Sequence, residues 1–136
     1  MLRTILFDLD GTLVQFEFDD FVGAYLGAIS SKVAQLVDTR VFVAQLLAST
    51  EEMVKSLDPA RTNRDVFTDH FFPGLGRTAD ELTPTIDAFY DEDFPRLREA
   101  LGVEPHPLAR PMLESLIDRG YEVVIATNPV FPANAI

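Results

Sequence analysis

The stretch Ile5-Leu6-Phe7-Asp8-Leu9-Asp10-Gly11-Thr12-Leu13 sets a short apolar segment directly against two carboxylates and a glycine. Residues Leu2 to Phe7 are apolar and partly β-branched, which predicts a buried strand. Asp10-Gly11-Thr12 breaks it. Asp8 and Asp10 are one residue apart, so simple alternation would put both carboxylates on one face. In open parallel sheets, ligands bind beyond the carboxyl ends of the strands. Two adjacent carboxylates repel, and they either share a proton or hold a cation. Magnesium suits them, since it takes hard oxygen ligands and bridges to phosphate. Gly11 lets the backbone turn sharply and approach a ligand, and amides exposed after the strand can bind phosphate oxygens. A carboxylate placed like Asp8 can attack phosphorus. One placed like Asp10 can protonate a leaving oxygen and then deprotonate water. A bare Asp-Gly pair is only a common turn signal; the whole run, in strand context, is far more specific.

A second apolar strand is expected from Tyr121 to Ala126, ending at Thr127-Asn128-Pro129. By itself Thr127-Asn128 reads as a strand-ending turn. Leu108 to Arg119 has the pattern of an amphipathic helix stopped by Gly120. Strand, helix and strand in that order predict a parallel pair with a right-handed crossover. Parallel sheets normally have more strands and both faces covered, so two strands look like part of a sheet.

Between the two strands lies a long helical insert. Phe21, Tyr25, Ile29, Val33 and Leu36 mark one buried face, with Asp19-Asp20 at the favourable amino end. Asp38-Thr39 reads as the cap of a second helix carrying Val41, Phe42, Leu46, Met53 and Leu57. Thr62-Asn63 caps a third helix running to about Phe72, and Pro73-Gly74-Leu75-Gly76 reads as a loop. Thr78 caps the next helical region, where Pro84 either splits the helix or opens a new one. Ile86, Phe89, Tyr90 and Phe94 supply its apolar face, and Pro95 kinks or restarts the helix that Gly102 ends. Leu13 to Phe18 reads as an irregular or hairpin-like connection, and Glu104-Pro105-His106-Pro107 as a linker. Phe131 to Ile136 could begin another helix.

The chain has 136 residues, 47% of them hydrophobic and 24% charged, which fits a soluble globular domain. No apolar run is long enough to span a membrane, and the start lacks the pattern of a signal peptide. Cysteine is absent, which excludes disulfides, thiol nucleophiles and thiolate metal sites and fits a cytoplasmic protein. The net charge of −11 argues against nucleic acid as a partner. A phosphate site here must draw local positive potential from a metal, backbone amides and a few side chains.

The run through Asp8-Leu9-Asp10-Gly11-Thr12 resembles motif I of the haloacid dehalogenase-like superfamily, an apolar strand followed by DxDGT. Val123-Val124-Ile125-Ala126-Thr127 is similar to its motif II, an apolar strand ending in Thr or Ser. The resemblance implies an α/β Rossmannoid core, partial here, with a helical C1-type cap between the motifs. Residues 1–15 and 105–136 then fall in the core and 16–104 in the cap. It implies that Asp8 is the nucleophile forming an aspartyl-phosphate and Asp10 the acid–base, with Mg2+ held by Asp8 and Asp10. It also implies that Gly11, Thr127 and Asn128 bind phosphate and that a small phosphorylated metabolite is the substrate.

Asp10 favours phosphate esters, because the dehalogenase and phosphonate-cleaving branches lack that second acid. A phosphomutase or phosphotransferase, or a binding module without turnover, remains the alternative. The continuation Gln15-Phe16 departs from the phosphoglycolate-type pattern, so no particular ester is indicated. Lys32 and Lys55 are read as solvated, His70 as packing, His106 as part of the linker, and Glu17, Asp19 and Asp20 chiefly as helix-capping. Arg77 is read as a solvated arginine in preference to an anion ligand. The family's later cation and acidic cluster have no occupant among Val130 to Ile136, which carry no charge. The expectation is therefore an N-terminal fragment with an incomplete site.

Overall fold

A computed structural model describes residues 2–132. It divides into two compact units, one formed by Met1–Phe21 with Arg98–Asn128, the other by Val22–Leu97 with Pro129–Ile136.

In the first unit, β1 (Thr4–Phe7) pairs in parallel with β4 (Glu122–Ile125). The register sets Ile5 beside Val123, Leu6 beside Val124 and Phe7 beside Ile125. The expected parallel pair is present, and β1 starts two residues later than the apolar run suggested. α6 (Ala109–Asp118) connects back to β4 and packs along it. Its end is closed by Gly120 at φ +82°, with the Tyr121 amide donating to the Leu116 carbonyl and the Gly120 amide to Ile117. These bonds satisfy carbonyls that a helix end leaves open. Leu6 is 63% exposed, and its register partner Val124 is 37% exposed. One face of this sheet is thus largely bare, which a two-stranded parallel pair cannot avoid with a helix on only one side.

A second sheet joins the two connecting segments. β2 (Val14–Gln15) pairs antiparallel with β3 (Glu104–Pro105). The His106 amide donates to the Leu13 carbonyl at 2.8 Å and extends the ladder. The segments read as an irregular connection and a linker are therefore partners.

The second unit is helical. α1 (Phe18–Val33) enters it and buries Tyr25, Ile29 and Val33. Leu36, expected on the same face, is 38% exposed because the helix stops at Val33 and a turn redirects the chain. α2 (Thr39–Lys55) is capped by Asp38, whose carboxylate accepts from the Arg40 and Val41 amides. It buries Phe42, Leu46 and Met53, whereas Val41 and Leu57 are exposed. Val41 is adjacent to Phe42 and so points about 100° away from it, and Leu57 lies beyond the helix.

α3 (Asn63–Leu75) begins with a reciprocal capping box between Thr62 and Asp65. It does not yield to a loop at Pro73. Pro73 sits in the last turns, where one lost amide bond is tolerable, and the helix ends at Gly76 in the left-handed conformation. α4 (Ala79–Ala88) likewise runs through Pro84 without splitting, since proline's fixed φ is itself helical. A π-helical turn, Phe89–Asp93, then leads into α5 (Phe94–Ala100), so Pro95 lies in the first turn of a restarted helix. Phe131 and Pro132 are not helical; the rest of the helix expected there lies outside the described residues.

An aromatic core fills this unit. Phe42 stands edge-on to Phe71, and Tyr25 contacts Phe89, Tyr90, Phe94 and Phe131. Among the described residues no helix is long and apolar enough to cross a membrane.

Candidate active site

The first unit places all five residues read as site residues at one end of one sheet. Asp8, Asp10 and Gly11 follow the carboxyl end of β1, and Thr127 and Asn128 follow that of β4. The Ala126 amide donates to the Phe7 carbonyl at 2.7 Å, so the ladder continues to the residue before Asp8. Adjacent strands lie about 4.8 Å apart, and the register that sets Phe7 beside Ile125 brings Asp8 to the level of Ala126, with Thr127 one residue further on. Thr127 is half-buried, while Asp8, Asp10 and Asn128 are exposed.

The loop after β1 is a tight, self-bonded turn. The Leu9 carbonyl accepts from the amides of Thr12, Leu13 and Val14 at 3.2, 2.9 and 3.1 Å. Gly11 makes this turn possible at φ +71°, a conformation costly for residues with a Cβ. Its amide donates to the Val14 carbonyl at 2.9 Å. The Gly11 amide is thus already engaged, and its contribution to the loop is shape. Among the described residues, the amides of Leu9 and Asp10 have no backbone acceptor. The sequence reading did not single out these two donors; only the carbonyl bookkeeping of the turn reveals them.

Leu13 anchors the loop, being 6% exposed. Burial, and then the charge of Asp8 beside it, push the Asp10 carboxyl above its ordinary value. That is the direction required of a group that must carry a proton to a leaving oxygen. A cation near the pair would relieve the same repulsion, and both donors are hard oxygens. Among the described residues, no cluster of three or more His, Cys, Asp or Glu side chains completes a metal cage.

The other residues weighed from sequence have roles within their own units. Lys32 is not freely solvated: its ammonium pairs with Asp93 at 2.7 Å and Glu92 at 3.3 Å. Arg77 donates to the Leu36 carbonyl at 2.9 Å and contacts Glu81, tying the start of α4 to the turn after α1. Nδ1 of His70 lies 3.0 Å from the hydroxyl of the buried Ser49 and 3.2 Å from Gln45. His106 accepts from the Leu108 amide through Nδ1. The Lys55 ammonium pairs with Glu51.

No curated protein matches the chain. A family model described as haloacid dehalogenase-like hydrolase matches residues 2–135, nearly the entire length. With its strand-borne acid loop, parallel partner strand and helical insert, the chain belongs to the haloacid dehalogenase-like hydrolase family.

Proposed function

We propose that this hydrolase acts on a small phosphate monoester through phosphorylation of Asp8. The observation that carries the reading is the juxtaposition of Asp8 with a second carboxylate whose proton affinity is raised, at the carboxyl end of a strand paired with the one ending at Thr127. A carboxylate oxygen of Asp8 attacks phosphorus while the bond to the leaving alkoxide breaks. Asp10 delivers its proton to that alkoxide and then takes one from the water that attacks the phosphoaspartate. Inorganic phosphate leaves, and both carboxylates return to their starting states. In this reading the amides of Leu9 and Asp10 and the Thr127 hydroxyl hold the phosphoryl oxygens. Asn128 lies beside them.

Asp8 and Asp10 are also the side chains that would hold magnesium. They supply hard oxygen donors, with the remaining positions left to phosphate and water, as is usual for this ion. Bound there, the ion offsets charge on the transferring group. No nucleic acid or membrane enters this reading; the partner is a phosphorylated metabolite.

A phosphate-binding module without turnover is the competing reading. A magnesium-dependent assay with p-nitrophenyl phosphate separates the two. Turnover that falls at least a thousandfold in Asp8→Asn, with phosphate trapped on Asp8 in the wild type, supports the hydrolase. Equal turnover in the variant overturns the assignment of Asp8. Metal-dependent binding of phosphate without turnover identifies the module. Product analysis with an added acceptor alcohol distinguishes hydrolysis from transfer to a second molecule.

A further inference from the structure

The opposite end of the same sheet carries a second cluster of chemistry. An open depression of about 540 Å³ is lined by Leu2, Arg3, Arg119, Gly120, Tyr121 and Glu122. Its volume falls within the range of small-molecule sites. Arg3 and Arg119 are 116 positions apart in the sequence.

Strand pairing brings them together. Thr4 registers with Glu122, and the Glu122 amide donates to the Arg3 carbonyl at 2.8 Å. The next pair outward is therefore Arg3 and Tyr121, which alternation sets on the face opposite Thr4 and Glu122. The turn through Gly120 then carries Arg119 over the Tyr121 ring, with the guanidinium carbon 5.5 Å from the ring centroid. Arg3 and Arg119 thus line one depression, with the Arg119 guanidinium over the Tyr121 ring.

Neither guanidinium pairs with a carboxylate among the described residues. This is notable in a chain with 22 acidic and 11 basic side chains, where a cation readily finds a carboxylate. The acid lining the depression, Glu122, accepts the Thr4 hydroxyl at 2.7 Å. Arginine's planar fork matches the oxygens of phosphate, and stacking on tyrosine holds one fork in place.

We propose that this depression binds a compact, multiply charged oxyanion of the phosphate class. Arg3 and Arg119 are the ligands and Tyr121 the platform that orients Arg119. Five residues of extended chain separate Arg3 from Asp8, about 16 Å, so the site is distinct from the acid loop and independent of what that loop does.

The test is a titration with inorganic pyrophosphate, followed by amide shifts in a nitrogen–proton correlation spectrum. EDTA is present throughout, which removes any metal-dependent binding at Asp8. Saturable shifts at the amides of Arg3, Gly120 and Tyr121 are expected. The Arg3→Gln/Arg119→Gln double variant should bind at least tenfold more weakly, and Arg119→Lys about threefold more weakly because it keeps charge without the fork. The variants' own spectra report whether they fold, and Arg119→Lys alone suffices should the double variant not fold. Asp8→Asn should bind pyrophosphate as the wild type does, so failure of the Asp8 assignment leaves this result standing. The proposal is overturned by no saturable shift at these amides, by equal affinity in the arginine variants, or by shifts confined to Leu9, Asp10 and Thr127.

Discussion

The hydroxyls of Tyr25 and Tyr90 meet 2.8 Å apart inside the aromatic core of the helical unit. Each satisfies the other, which is how two buried phenols avoid the cost of desolvation. Tyr25→Phe leaves the Tyr90 oxygen without that partner and should destabilise the chain by about 1–3 kcal/mol. The Tyr25→Phe/Tyr90→Phe pair removes both polar atoms and should recover most of the loss. Urea unfolding of the two variants checks this; a double variant weaker than the single one would contradict it. Burial first, and then Tyr90, raises the Tyr25 pKa, while burial raises that of Tyr90. Both phenols should therefore resist ionisation in an ultraviolet titration until the fold gives way at alkaline pH, since only the unfolded state releases their protons.

Asp10 carries the opposite kind of signature for a carboxylate. Its affinity for a proton is higher in the folded chain than in an unfolded one, where a free aspartate titrates at about pH 3.9. The folded state is therefore favoured at low pH and loses that advantage as pH rises from about 4 through the raised value. Asp10→Asn should be more thermostable than the wild type at pH 7, and the difference should vanish below pH 3. The same substitution should abolish turnover in the proposed reaction. Melting curves at both pH values test the first claim; an unchanged melting temperature at pH 7 would refute it.

Gly11→Ala isolates backbone conformation from crowding. A Cβ at this position would meet nothing within 4 Å, yet φ is +71°. The expected cost is about 1–2 kcal/mol, from the left-handed backbone alone. Amide exchange should quicken at Thr12, Leu13 and Val14, the three donors to Leu9. A loss spread evenly over both units would count against a local cause.

Phe42 and Leu57 were read as one apolar pattern but should respond oppositely to truncation. Phe42 is fully buried against Phe71, whereas Leu57 is 93% exposed. Phe42→Ala should cost about 3–5 kcal/mol, and Leu57→Ala under about 0.5 kcal/mol. Denaturant midpoints give both values directly.

Thr62→Ala removes the hydroxyl that accepts the Asp65 amide at the start of α3. The cap should cost about 1 kcal/mol. The Asp65 carboxylate is held below its usual range by the Thr62 hydroxyl and amide. Stability from this box is present above the unfolded value, about pH 3.9, and is lost as pH falls through the lower folded one. The variant and wild type should therefore converge in strongly acid solution, as paired melting curves would show.

β1, β4, the helix caps and the turn after β1 were legible because each is set by neighbours in sequence; β2 and β3, which exist only through their pairing with each other, were not. Asp38 and Thr62 announce helices by local bonds, and Asp8 to Thr12 form a turn whose donors lie within five residues. Prolines misled where geometry tolerates them. Pro73 and Pro84 each cost one amide bond, which their helices absorb, so neither acts as a stop. The π-helical turn at Phe89–Asp93 has no sequence signal of its own; it coincides with packing of Phe89 and Tyr90 into the core. The pairing of Arg3 with Tyr121, and the occupation of the Gly11 amide, depend on register and carbonyl accounting that no single segment contains.

The short antiparallel ladder between Val14–Gln15 and Glu104–Pro105 makes the helical insert a long loop with a closed neck. Its two ends are already a hydrogen-bonded pair, so a two-residue turn could join Gln15 to Glu104 without moving either. Insertions of other lengths and compositions could occupy the same neck. The acid loop, held by its own bonds to the Leu9 carbonyl, does not depend on that insert for its local shape.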